Sequence, residues 1–83
     1  MTFQIIWSDF ASNSINKLDR TITKQIYNKV GELKENPYRY VKKLIGSPYF
    51  RLRVGDYRVI MEINQGILQI LIVKVGHRST IYD

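Results

Sequence analysis

No cysteine occurs in this 83-residue chain, which removes disulfides, thiolate nucleophiles and most structural zinc sites together. Histidine is nearly as scarce, with His77 the single copy, so histidine pairs for proton transfer or metal ligation are excluded. Paired carboxylates, metal-ligand spacings, serine-nucleophile motifs and phosphate-cradling glycine loops are also missing. No stretch approaches the roughly eighteen apolar residues of a membrane span, and residues 1–10, MTFQIIWSDF, lack the basic region and long apolar run of an export signal. A cytoplasmic protein without a membrane partner is therefore expected. Acids are few as well: 7 stand against 13 lysines and arginines, a formal net charge of +6.

What is present fits an ordinary globular chain, with 45% hydrophobic and 24% charged residues. Residues 1–83 read as one domain with a small core, because a chain of this size buries only about 60% of its unfolded surface. The excess positive charge repels itself and suggests an anionic partner, nucleic acid first among them. Lysines carried for solubility are the competing account, and position along the chain must decide.

Residues 3–7 are apolar strand formers, and Ser8 and Asp9 behind them suit a helix N-cap. Ala11, Ile15 and Leu18 then recur at helical spacing, as do Ile22, Ile26, Val30 and Leu33. This pattern predicts a helical hairpin closed by Asn36-Pro37. Residues 38–48 show no period and contain Gly46-Ser47-Pro48, which predicts a connecting loop carrying Arg39, Lys42 and Lys43. Residues 49–54, 57–63 and 67–75 read as strands joined by glycine-containing turns. The expected fold class is α+β: an N-terminal strand, a helical hairpin, then a three-strand antiparallel meander packed against the helices. The last strand, apolar on nearly both faces, should be central.

Strand alternation puts Arg51 and Arg53 on one face and Phe50, Leu52 and Val54 on the other. Arg58 joins the two arginines if the turn keeps its expected register. Arginine offers a planar fork of donors suited to phosphate oxygens, so the group stabilises negative charge rather than moving protons. A solvated face paired to Glu62 or Asp56 is the alternative. His77 is either an acid–base group or a hydrogen-bonded surface residue. Tyr82 becomes a base only where cations stabilise its phenolate, and Arg78 is the nearby source. Tyr27, Tyr38, Tyr40, Tyr49 and Tyr57 either stack on unpaired bases or bury their rings.

The segments RLRVGDYRVIMEI, VKVGHR and the terminal IYD, in this order, resemble the RelE branch of the RelE/ParE toxin superfamily over nearly the whole chain. The resemblance implies a RelE-like fold and a ribosome-dependent endoribonuclease that cuts messenger RNA in the A site. It implies neutralisation by a cognate RelB-like antitoxin and requires no metal or organic cofactor. Arg51, Arg58, Arg78 and Tyr82 match catalytic positions of the family; Arg53, Lys42, Lys43 and Tyr49 fall where RNA would lie. Tyr49 stands where a basic residue is expected and His77 where lysine is common, and the resemblance to relatives that use histidine implies a share of the acid role for His77. ParE-like inhibition of DNA gyrase, or a degenerate antitoxin-binding module, are the other readings the resemblance leaves open.

Overall fold

The computed structural model describes residues 2–81. Its elements are β1 (Gln4–Trp7), α1 (Asp9–Ile15), α2 (Arg20–Gly31), β2 (Val41–Lys43), β3 (Phe50–Val54), β4 (Tyr57–Asn64), β5 (Gln69–His77) and α3 (Arg78–Ile81), with short 3-10 turns at Glu32–Lys34 and Pro37–Arg39. The strands form one sheet in the order β1-β5-β4-β3-β2. β1 runs parallel to β5, and the other neighbours are antiparallel. The α+β class agrees with the sequence reading, and β5 lies inside the sheet, between β1 and β4, although the middle strand is β4.

Ser8 caps α1 as its side chain promises: Oγ accepts the Ala11 N–H at 3.1 Å. The same hydroxyl donates to the Val73 carbonyl at 3.1 Å, tying the start of the helix to β5. Both long helices lie on one face of the sheet. Ala11 and Ile15 of α1, Ile26 and Val30 of α2, and Leu33 pack against Leu52, Val54, Val59, Met61, Ile70, Ile72 and Val75. Ile15 and Met61 are fully buried, so Ile15→Ala or Met61→Ala should each cost about 2–5 kcal/mol. Chains of this size have only about 4–12 kcal/mol in total. Urea denaturation should show a lower midpoint at unchanged slope; an unmoved midpoint would contradict this packing.

Two sequence expectations are corrected. Residues 38–48 are not simply a loop, because Val41–Lys43 pairs antiparallel with β3 as an edge strand and makes the meander one strand wider. An edge strand of three residues with one inward side chain leaves too little alternation to read. The last strand begins at Gln69 rather than Ile67, and Ile67 stands exposed in the preceding turn, where Leu68 takes a φ of 52°. Residues 78–81 add a short helix, α3, that no periodicity announced.

The β3–β4 connection is a two-residue turn, with Val54 paired to Tyr57 across it. Gly55 adopts a φ of 57° there, a left-handed conformation that a glycine at the first central turn position takes without steric cost.

Candidate functional site

Directly paired residues of neighbouring strands project from the same face. Lys42 pairs with Arg51, Arg51 with Ile60, and Ile60 with Lys74. One row closer to the turn, Arg53 pairs with Arg58 and Arg58 with Gly76. The sheet face opposite α1 and α2 therefore carries Lys42, Arg51, Arg53, Arg58 and Lys74 across four adjacent strands. Arg51 and Arg58 are diagonal neighbours, a relation that sets backbones roughly 7–8 Å apart.

Arg58 is the best-held member, only 8% exposed. Its Nη1 donates to the Gly55 and Tyr57 carbonyls, each at 2.8 Å. The glycine turn thus supplies both the hairpin and an anchor for the guanidinium. Arg53 directly opposite places a second positive charge beside it, an unfavourable cross-strand pair in the absence of a counter-charge.

Arg78 sits at the same end of the sheet. Its backbone N–H donates to the Asp56 carbonyl at 2.8 Å, and its Nε lies 4.0 Å from Asp56 Oδ1 in an exposed ion pair. Exposure keeps that pair weak, so the guanidinium is readily exchanged to another anion. Tyr49 precedes β3 and extends the β2–β3 ladder through its carbonyl, which accepts the Leu44 N–H at 2.9 Å. Lys43 bends over the Phe50 ring and donates to the Ser47 carbonyl. It follows Lys42 on the strand and so belongs to the other side of the edge.

His77 is not with the arginines. It pairs with Tyr57, whose ring it meets edge-on at 5.3 Å between centroids, and strand alternation turns both away from Arg58. Its Nδ1 accepts the Ser79 N–H at 3.1 Å and contacts Ser79 Oγ at 2.8 Å. Nε2 is the ring nitrogen left for other partners. Tyr82 lies outside the described residues. Among those residues, no group of three or more histidines, cysteines, aspartates or glutamates is placed to hold a metal ion.

Lys74 is the member that sequence reasoning missed. Ile70 and Ile72 face the core, and simple alternation would send residue 74 there too. The register shifts between Ile60 and Met61, whose partners are Lys74 and Ile72, so Val73 is an extra residue on β5. That bulge turns Lys74 onto the cationic face and Val75 into the core. The spacing of core residues, two and then three, is the signal that could have found it.

A small sheet with two helices on one face is the fold shared with solved chains from RelE-type toxin–antitoxin complexes. The toxin of the RelBE2 toxin–antitoxin complex from Mycobacterium tuberculosis superposes with a TM-score of 0.87 at 25% identity, covering 94% of this chain and all of that one. The RelE–RelB complex of Pyrococcus horikoshii gives 0.82 at 25% identity over 96% and 99% of the two chains. The RelB–RelE complex of Methanococcus jannaschii gives 0.75 at 27% identity over 94% and 95%. No curated protein sequence matches this chain. Residues 5–82 match the family described as the ParE toxin of the type II toxin–antitoxin system parDE, and the chain belongs to that family.

Proposed function

We propose that this toxin is a RelE-like endoribonuclease that cuts messenger RNA in the ribosomal A site and is held inactive by a cognate RelB-like antitoxin. The observation that carries the reading is the array of Lys42, Arg51, Arg53, Arg58 and Lys74 on one sheet face. Such an array costs self-repulsion and is relieved by a phosphate backbone. The antitoxin follows from the neighbours above, which were solved as toxin–antitoxin complexes.

In the reaction, the substrate's 2'-hydroxyl attacks the adjacent phosphorus while Tyr82, as phenolate, takes its proton. The bond from phosphorus to the 5'-oxygen breaks, leaving a 2',3'-cyclic phosphate and a 5'-hydroxyl. Arg51 and Arg58 stabilise the non-bridging oxygens as charge builds on them. Arg78 stabilises the departing 5'-oxygen, which takes its proton from water, or from His77 if that ring turns from its present side of the sheet. Arg53, Lys42, Lys43 and Tyr49 guide the RNA strand. Ribosomal positioning supplies the in-line geometry that weak proton movers cannot.

The test is cleavage mapping on translated messenger RNA with and without ribosomes. New 5'-hydroxyl ends within codons, dependent on ribosomes, are the expected result. The family model favours one second reading, ParE-like action on DNA gyrase. Loss of supercoiling with intact messenger RNA would replace the nuclease with it.

A further inference from the structure

Lys74 reaches the cationic face only because β5 carries an extra residue. Core positions Ile70 and Ile72 stand two apart, Val75 follows Ile72 by three, and the register shift between Ile60 and Met61 absorbs the difference. Strict alternation would have sent the ammonium group among the apolar side chains beneath α1 and α2, where an unpaired charge is strongly disfavoured. Bulges of this kind recur beside functional sites, where they re-aim a side chain at the expense of regular pairing.

The place to which Lys74 is aimed is specific. Arg58 pairs with Arg53 on β3 and with Gly76 on β5, so its diagonal neighbours one row away are Arg51 on β3 and Lys74 on β5. A diagonal relation sets backbones roughly 7–8 Å apart. Arg51 and Lys74 both pair with Ile60, which separates them by two strand spacings, about 10 Å. Lys74 therefore flanks the anchored Arg58 guanidinium on the side away from Arg51, and Gly76 places no side chain beside it there. Ile60, 8% exposed, lies between the two cations, and Lys74 is itself half-buried, as expected of a lysine whose stem covers apolar surface while its charge stays outside. Glu62 is an acid on the same face, yet among the described residues no ion pair joins it to Lys74.

We infer that Lys74 is an RNA-binding residue: it holds a phosphate flanking the one engaged by Arg51 and Arg58, and so leads the strand across the sheet from β3 over β4 to β5. The inference rests on the nuclease reading above and deepens it by adding a contact on the β5 side. Lysine presents a point charge on a flexible stem, without the planar fork that arginine offers to phosphate oxygens. At a flanking phosphate, where no charge develops during the reaction, it binds ground state and transition state alike. Its loss is therefore felt in binding, and the chemical step is spared.

Fluorescence anisotropy with a 2'-O-methyl RNA oligomer, whose attacking hydroxyl is blocked, reads the contact without any reaction. Each phosphate neutralised on a single strand adds about 0.7 to the logarithmic salt slope of binding. Lys74→Gln should therefore lower the slope by about 0.7, which corresponds to about fivefold weaker binding at about 0.1 M salt. Lys74→Arg should keep the wild-type slope. Lys24→Gln removes the same charge from the exposed side of α2 and should leave the slope unchanged. On programmed ribosomes, Lys74→Gln should raise the half-saturating concentration and leave the single-turnover rate at saturation as it was. A Lys74→Gln slope equal to that of the wild type overturns the inference, and so does a variant that keeps this slope and loses its antitoxin instead. An equal fall in Lys24→Gln overturns it as well, since net charge alone would then be responsible. A lower rate at saturation with unchanged half-saturation overturns it by placing Lys74 at the reacting phosphate. Wild-type protein that cuts no translated messenger RNA removes the nuclease reading, while the difference in slope still decides whether Lys74 holds an RNA phosphate.

Discussion

Arg58→Ala should lower ribosome-dependent cleavage by about 10²- to 10³-fold, the usual effect of removing a preorganised donor to a developing oxyanion. The expectation comes from how the residue is held. Two carbonyls of the β3–β4 turn fix Nη1 of a guanidinium that is 8% exposed, so no side-chain entropy remains to be lost when the phosphate arrives. Arg58→Lys should rescue little, because one ammonium cannot hold the Gly55 and Tyr57 carbonyls and also present a planar fork to phosphate. Loss of those bonds should also destabilise the chain, by about 1–3 kcal/mol. Urea denaturation beside the cleavage assay separates the effects: the variant must be assayed where it is folded. A folded Arg58→Ala protein cutting at the wild-type rate would remove charge stabilisation by this residue from the mechanism.

The two faces of the sheet obey different rules. On the helix side, Leu52, Val59, Met61 and Ile72 pair apolar with apolar, and every local preference agrees with the fold. On the other side, Arg53 faces Arg58, and Ile60 is buried between cations rather than in the core. Departures of this kind mark places where something other than folding shaped the sequence.

The same asymmetry explains how much was legible beforehand. Ile15, Ile26, Val30 and Leu33 announced the helical layer through their spacing, and Ser8 announced the start of α1, because these are local signals with one physical cause each. Arg51, Arg53 and Arg58 could be gathered once the Gly55 turn fixed the register of β3 against β4. β2 could not be read, since a three-residue edge strand is defined by hydrogen bonds to β3 that no alternation encodes. Lys74 was hidden by the extra residue at Val73, which reverses the inside–outside order within a strand apolar on both faces. α3 was hidden for a third reason: its four residues hold about one helical turn, too few for any periodicity to show.

Tyr82→Phe should lower the single-turnover cleavage rate by about 10²- to 10⁴-fold, the range for a positioned general base, with half-saturation by ribosomes unchanged. The substitution removes only the hydroxyl, the group that accepts the 2'-hydroxyl proton, so binding is spared. The pH profile carries the sharper test. A general base loses its deprotonated fraction about tenfold for each pH unit below its own pKa. Wild-type cleavage should therefore climb with close to unit logarithmic slope below the pKa of that base. Tyr82→Phe should flatten the profile. If the variant is slow but keeps the unit slope, hydroxide or a ribosomal group is the base, and Tyr82 serves only to place the nucleotide. If it is neither slow nor flat, the proton leaves the 2'-hydroxyl by a route that does not involve the end of this chain, and the arginine face remains as a charge-stabilising surface alone.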